Sequence, residues 1–314
     1  MDKYIDSHLD YSYAGSNAQE PSFYNHGVQY TRDTFKEKFA LFPTPKNPRL
    51  ITSLESFSYD SSEIPIKIYK DIEQPIQRGG TPCIIYAHGG GFVTGGFELV
   101  DGLCQDFVFD LGITVIAVDY RSAPEFKHPT ALYDCMEAIQ YIMNNAEHFG
   151  INPGKIYLGG ESSGGFIAVT VPIMLRDKGL PQIAGVISIN PVLDTCRWAN
   201  REVNNCSQEF QDEMFFLTSN YLGLDCINQP EYASALAITD LTNLPPILLF
   251  AAKSDPLSSE AALMSKKLLA NGVVTYTHID EDALHGCIRA RRYYRFARYA
   301  YDALLYNIKK LIGN

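Results

Sequence analysis

The segment Gly160-Glu161-Ser162-Ser163-Gly164 has the form G-x-S-x-G. That spacing marks a sharp strand-to-helix turn that exposes its central serine as a nucleophile. Glycines on either side let strand and helix converge where side chains would collide. At the N-terminus of the following helix, Ser162 lies in the field of unpaired N–H groups, which favours negative charge on a tetrahedral intermediate. Upstream, His88-Gly89-Gly90-Gly91 offers a backbone that no glycine side chain shields. Its successive N–H groups can turn toward one point and, with the N–H of Ser163, hold an oxyanion. The chemistry these two segments suit is acyl transfer: attack of Ser162 on a carbonyl whose charge passes to backbone donors. His88 reads as a shaper of the loop, not as a base.

Each segment requires particular neighbours. Residues 155–160 are short, apolar and β-prone after Asn152-Pro153-Gly154, so a strand is expected to feed the turn. Residues 166–175 are apolar enough for a buried helix. Pro172 inside it costs a hydrogen bond, and Gly179 suits a left-handed cap after Asp177-Lys178. Residues 81–87, with the apolar run Cys83-Ile84-Ile85-Tyr86, read as a central parallel strand leading into the glycine loop.

A serine nucleophile on such a turn takes its acid and then its base from further along the chain. Only His278 and His285 lie beyond Ser162. His278 falls in an alternating stretch, 273–279, and reads as a strand residue. His285 lies in the polar loop that follows, at a strand end, where sites of this kind are built. Residues 246–251 form the preceding strand, and Lys253-Ser254-Asp255-Pro256-Leu257 follows it. Asp255 is therefore the expected acid, holding the tautomer of His285. Asp-Pro is also an ordinary turn and cap signal, and chain order with strand-end placement selects the catalytic reading. Glu281 and Asp282 read as loop charges.

With these residues in place, Asp119-Tyr120-Arg121-Ser122-Ala123-Pro124-Glu125 closely resembles the D-Y-R-L-A-P-E segment of the hormone-sensitive lipase-like esterases. It follows an apolar strand, 113–118, as it does in that family. Asp255-Pro256-Leu257, His285-Gly286 and Pro191-Val192-Leu193-Asp194 resemble further signatures of the same family, from about residue 50 to the C-terminus. The resemblance implies an α/β-hydrolase fold: a mostly parallel central sheet with helices on both faces and a helical cap. It implies nucleophile Ser162, acid Asp255, base His285, and oxyanion donors at the backbone of Gly90, Gly91 and Ser163. Two segments depart from the family pattern. The elbow G-D-S-A-G-G is here Gly160-Glu161-Ser162-Ser163-Gly164-Gly165, which keeps the charge and adds a hydroxyl near the oxyanion. The H-G-F segment is here His285-Gly286-Cys287, altering the wall beside the base. Family members that became small-molecule receptors lost the base, which this chain keeps.

The remaining composition narrows the function. The 314 residues carry a net charge of −10, which disfavours nucleic acid and anionic membrane surfaces as partners. The basic run 289–298 follows a helical period. Tyr293, Phe296, Ala297, Ala300, Leu304, Ile308 and Leu311 make its apolar face, and the arginines largely occupy another. No signal peptide or apolar span is visible, and the seven cysteines include no C-x-x-C pair. A cytoplasmic enzyme with reduced cysteines is expected, with no metal and no cofactor. Cys287, two residues from His285, is the thiol whose alkylation would be expected to block the site.

Residues 1–48, rich in Tyr, Phe, Asn and Ser and closed by Pro43, Pro45 and Pro48, form one expected cap segment, ahead of a catalytic domain at 49–314. A helix is expected at 31–41, with Thr34, Phe35, Lys38 and Phe39 partly inward. A second cap segment, 195–224, contains an expected helix at 208–222 with Phe210, Met214, Leu217 and Tyr221 on one face. Aromatics there suit an apolar acyl or alcohol group, although any one of them is more often cap core. The expected partner is a small-molecule ester with a short acyl chain. The triad does not choose the leaving group, so amide, carbamate and thioester substrates stay open, as do a pocket that binds without turnover and a homodimer.

Overall fold

The computed structural model describes residues 26–75, 78–223 and 229–313. Eight strands form one sheet: β1 (Leu50–Tyr59), β2 (Ser62–Asp71), β3 (Thr81–Ala87), β4 (Thr114–Val118), β5 (Ile151–Glu161), β6 (Gly185–Ile189), β7 (Ile247–Ala252) and β8 (Thr275–Asp280). Their spatial order is β1-β2-β4-β3-β5-β6-β7-β8. The first two strands join antiparallel, and every pair from β4 to β8 is parallel. The central strands are apolar on both faces because both are covered. In β3, Cys83, Ile85 and Ala87 enter one core, while Ile84 and Tyr86 enter the other.

The helices divide accordingly. α2 (Phe97–Leu111) and α9 (Arg295–Ile312) cover one face. α3 (Thr130–Asn144), α5 (Ser163–Asp177) and α8 (Ser258–Ala270) cover the other. The four-residue α4 (Ala146–Phe149) leads into β5. α1 (Val28–Ala40), α6 (Thr195–Ala199) and α7 (Gln208–Leu222) complete the chain. All described helices fall short of the length and apolarity that crossing a membrane requires. α7 and the strands at 81–87 and 247–252 lie where the sequence placed them, within a residue.

Three expectations need correction. β5 begins at Ile151, not after the Asn-Pro-Gly segment: Thr81 pairs with Ile151 and Cys83 with Ile156, so residues 152–155 form an irregularity inside the strand. The head of the basic run does not follow the expected helical period, since α9 begins only at Arg295. The chain makes a 3-10 turn at Cys287–Ala290, and Arg291 is 2% exposed, with its Nε donating to Asp106 Oδ2 at 2.6 Å. Cys287 is 1% exposed, and burial pushes its thiol up to about 12, so the alkylation expected from the sequence has no accessible thiolate to act on. Pro172 sits within an otherwise continuous α5, and Gly179 takes a positive φ of 65° just past its end, as expected.

Candidate active site

β5 delivers Ser162 at its carboxyl end with φ 58° and ψ −115°, a backbone region that a non-glycine residue adopts only when its surroundings enforce it. The enforcement is visible in the adjoining glycines. A methyl group on Gly160 would lie 2.2 Å from Gly164 O, and one on Gly164 would lie 2.1 Å from Ala87 O. The elbow therefore packs backbone to backbone against the end of β3. Ser162 N donates to Ile189 O at 2.8 Å, tying the turn to the end of β6 as well.

The glycine loop leaves β3 beside the elbow. Gly90, at φ 113°, folds its carbonyl into a tight turn that accepts from Val93 N at 3.2 Å and Thr94 N at 2.9 Å. Among the described residues the N–H groups of Gly90, Gly91 and Ser163 donate to no protein acceptor. They are thus free to serve a ligand oxygen. His88 is 1% exposed. Its Nδ1 is 2.7 Å from Gly89 O and its ring stacks on Tyr120 at 4.1 Å, so it shapes the loop as expected. Tyr120 also donates to His88 O at 2.8 Å. The Ser163 hydroxyl is buried beside this phenol.

Asp255 follows β7 and His285 follows β8. His285 Nδ1 lies 2.5 Å from Asp255 Oδ2. The Asp255 side chain is fully buried, and its Oδ1 accepts from Leu257 N at 3.0 Å. Ser254 Oγ donates to Ala283 O at 2.9 Å, joining the two loops a second time. Burial works against the imidazolium of His285, but the charge and hydrogen bond of Asp255, aided by Glu161, outweigh it and raise the pKa above the usual imidazole value. With Nδ1 committed to Asp255, Nε2 is the nitrogen left for proton transfer. His278 is a strand residue of β8 stacked on Phe250 at 5.0 Å, and Glu281 and Asp282 are exposed.

Two carboxylates beside the site escaped sequence reasoning in part. In the sequence Glu161 shows only a kept charge. It is 2% exposed and lies 2.7 Å from the guanidinium of Arg289. Glu260, near the start of α8 and five residues past Asp255, accepts from Leu193 N at 2.5 Å, Asp194 N at 3.1 Å and Trp198 Nε1 at 2.7 Å. Burial pushes its carboxyl up to about 7 against the pull of those donors. It anchors the segment entering α6 to the helix that begins behind Asp255. No sequence signal marks either partner, because both contacts join residues far apart in the chain.

Above the glycine loop, Leu217 of α7 meets Gly91: a methyl group there would lie 2.6 Å from Leu217 Cδ1. The aromatics expected to line a pocket mostly pack with one another. Tyr221 stacks on Phe92 at 3.8 Å, and Phe210 meets Trp198 edge-on at 5.5 Å. A cavity of about 630 Å³ lies between α1 and the segment 93–99, lined by Arg32, Phe35, Val93, Thr94, Glu98 and Leu99 among others. Ser162, Asp255 and His285 are not among the residues that line it. Thr31 and Thr34 of α1 are buried, Phe35 and Lys38 are half-buried, and the Phe39 side chain falls outside the described residues, as does residue 224 of the segment 195–224. Among the described residues no three His, Cys, Asp or Glu are grouped to hold a metal ion.

The family description of the alpha/beta hydrolase fold matches residues 84–289. The chain is 30% identical over 275 residues to an arylesterase of Saccharolobus solfataricus, covering 85% of this chain and 86% of that one. It is 28% identical over 266 residues to an ethyl acetate hydrolase of Pseudomonas putida, covering 82% of each. A solved ester hydrolase from the metagenome of Lake Arreo, in complex with a bipyridine phosphonate derivative, superposes with a TM-score of 0.85 at 26% identity, covering 98% of this chain and 97% of that one. The motifs, the strand order and these likenesses agree, and the chain belongs to the alpha/beta hydrolase fold family, among the hormone-sensitive lipase-like esterases.

Proposed function

We propose that this chain is a serine carboxylester hydrolase acting on small esters with short acyl chains. The observation that carries the reading is the 2.5 Å contact between His285 and Asp255, made by two loops at the carboxyl ends of neighbouring strands, at the same end of the sheet as the strained elbow. Ser162 attacks the ester carbonyl while His285 Nε2 takes its proton. Asp255 keeps Nδ1 protonated and stabilises the imidazolium. The N–H groups of Gly90, Gly91 and Ser163 receive the oxyanion, each such donor contributing about 2.7–4 kcal/mol of transition-state stabilisation in comparable sites. His285 then returns the proton to the leaving alcohol. A water deprotonated by the same nitrogen releases the acid from the acyl-enzyme.

The names of the relatives, an arylesterase and an ethyl acetate hydrolase, support a small ester over an amide. α1 and α7, from residues 1–48 and 195–224, are read as the cap that limits acyl length. A cytoplasmic setting accords with six unbridged cysteines among the described residues. Hydrolysis of p-nitrophenyl esters from acetate to long acyl chains, with Ser162→Ala alongside, tests the proposal. Activity is expected to peak on short chains and to fall roughly 10⁴- to 10⁶-fold in the variant. Turnover that survives the substitution removes Ser162 from its role. A folded wild type that cleaves only amides or thioesters, or that binds without cleaving, removes the ester reading.

A further inference from the structure

Arg289 lies four residues past His285, on the 3-10 turn Cys287–Ala290. The turn is fixed on both sides. Before it, Gly286 takes φ 72° and Cys287 N donates to Leu284 O at 3.1 Å. After it, the buried Arg291 anchors to Asp106 of α2. So held, Arg289 reaches back over the sheet. Its Nη2 lies 2.7 Å from Glu161 Oε2, on the residue that precedes Ser162. A methyl group on Gly89 would lie 3.2 Å from the same nitrogen, 2.9 Å from Glu161 O and 3.5 Å from Ser162 Cβ. One guanidinium therefore adjoins the glycine loop and the elbow while belonging to the loop of the base.

Resting on the ester-hydrolase reading above, we propose that Arg289 and Glu161 form a clamp that positions His285 against Ser162 and the oxyanion donors. Arg289 is a positioning residue here, since it acts on the reacting groups only through its neighbours. The physical need follows from the topology. Ser162 leaves β5 and His285 leaves β8, with β6 and β7 between them. The Asp255 contact ties the base loop to β7 alone, two strands short of the nucleophile. The Arg289–Glu161 pair spans the remaining distance. Glu161 is 3% exposed at its side chain and Arg289 18%, so solvent screens the pair weakly.

The charges also act on His285 in opposite senses. Glu161 favours its imidazolium and Arg289 disfavours it, alongside the dominant charge of Asp255 and a further carboxylate, Glu213 of α7. Removing each partner should therefore displace the acid limb of kcat/KM in opposite directions: upward in Arg289→Met, downward in Glu161→Gln. Each shift is expected on the order of half a pH unit, below the roughly 1–3 units of a directly paired charge.

The test is the pH profile of p-nitrophenyl acetate hydrolysis by Glu161→Gln, Arg289→Met and Arg289→Lys, with the imidazole of His285 titrated in parallel by NMR. Both neutralising variants are expected to lose up to about a hundredfold in kcat with KM little changed, as misplacement by an ångström can cause. Arg289→Lys is expected to recover part of the loss. Wild-type kcat in folded Arg289→Met overturns the proposal, and so does a limb displaced the same way in both neutralising variants. Should Arg289→Met not fold, because Glu161 is left buried and unpaired, the doubly substituted Glu161→Gln, Arg289→Met chain strands no charge. A wild-type kcat there overturns the clamp equally. A wild type that neither turns over esters nor reacts at Ser162 with a fluorophosphonate sinks the ester-hydrolase reading instead. The NMR titration needs no turnover and still reports whether the two charges act oppositely on His285.

Discussion

The floor of the site and its roof are built by different means. The floor consists of the ends of β3 and β5 and the first turns of α5. Thirteen of the fifteen residues of α5 are buried, and a methyl group added at Gly164 or Gly165 would lie 2.1 Å from Ala87 O or 3.0 Å from Ile189 O. We read the roof as α1 and α7, the cap proposed above. Only five of the fifteen residues of α7 are buried, and it meets the glycine loop through side chains, Leu217 over Gly91 and Tyr221 on Phe92. α1 buries Thr31 and Thr34, and its Arg32 donates to Val93 O and Ala123 O at 2.9 Å and forks onto Glu125. The floor is thus fixed by main-chain geometry that tolerates no added atom. The roof is fixed by side chains that can be exchanged, which is where differences in substrate choice between such proteins can arise without disturbing the chemistry.

The sharpest test of the floor leaves its backbone untouched. Asp255→Asn keeps shape and volume but removes the charge that selects the tautomer of His285. Hydrolysis is expected to fall about 10⁴-fold, by analogy with the same change in other triads. The pH dependence gives a second readout. Because Asp255 raises the pKa of His285, the acid limb of the wild type should lie above the usual imidazole range, and in the variant the residual activity should extend to lower pH. The same pairing stabilises the fold at acid pH, and that contribution is lost as pH rises through the raised pKa. An acid limb that stays in place would detach His285 from Asp255 and undo the assignment of the floor.

A larger part of the floor than of the roof was legible in the sequence, and the reason is physical. Gly160 and Gly164 had to be glycine because Gly164 O and Ala87 O occupy the space a side chain would take, so spacing alone exposed the elbow. The meeting of Asp255 and His285 at 2.5 Å could be anticipated because strand ends are readable from apolar runs. Arg289, Glu260 and Arg32 were not legible. Each acts across dozens of residues on a carboxylate, a carbonyl or an indole, and an arginine in a basic run carries no mark of whether it faces water or Glu161. The aromatics of residues 195–224 show the same limit. Phe210 and Tyr221 were placed on the correct helix face, but which of them would meet substrate depended on Trp198 and Phe92, which fill their contacts instead.

Adding one methyl group tests the intolerance of the floor directly. In Gly164→Ala it would lie 2.1 Å from Ala87 O and 2.5 Å from His88 O, both main-chain atoms that cannot turn aside. A loss of about 1–3 kcal/mol or more is expected, the scale of overpacking in a close-packed interior. Activity should fall in step as the elbow and the glycine loop are forced apart. Urea unfolding of the variant beside the wild type measures the first effect, and ester hydrolysis under native conditions measures the second. A variant of unchanged stability and activity would mean that the two strand ends are not in the contact described.

The weakest effect is expected at the roof. Arg32→Ala removes two hydrogen bonds to carbonyls and the fork on Glu125, but Glu125 is 54% exposed, so the ion pair itself contributes little. A loss of about 1 kcal/mol is expected, mostly from the carbonyl contacts. The proposed catalytic groups lie on the floor, so kcat on acetate esters should change little. Loosening α1 should instead alter KM and relax the preference for short acyl chains, measurable as a flatter profile from acetate to longer p-nitrophenyl esters. The opposite pattern, a fall in kcat with the chain-length profile intact, would show that α1 acts through Val93 on the oxyanion donors. The division between a main-chain floor and an exchangeable roof would then have to be redrawn at Gly91.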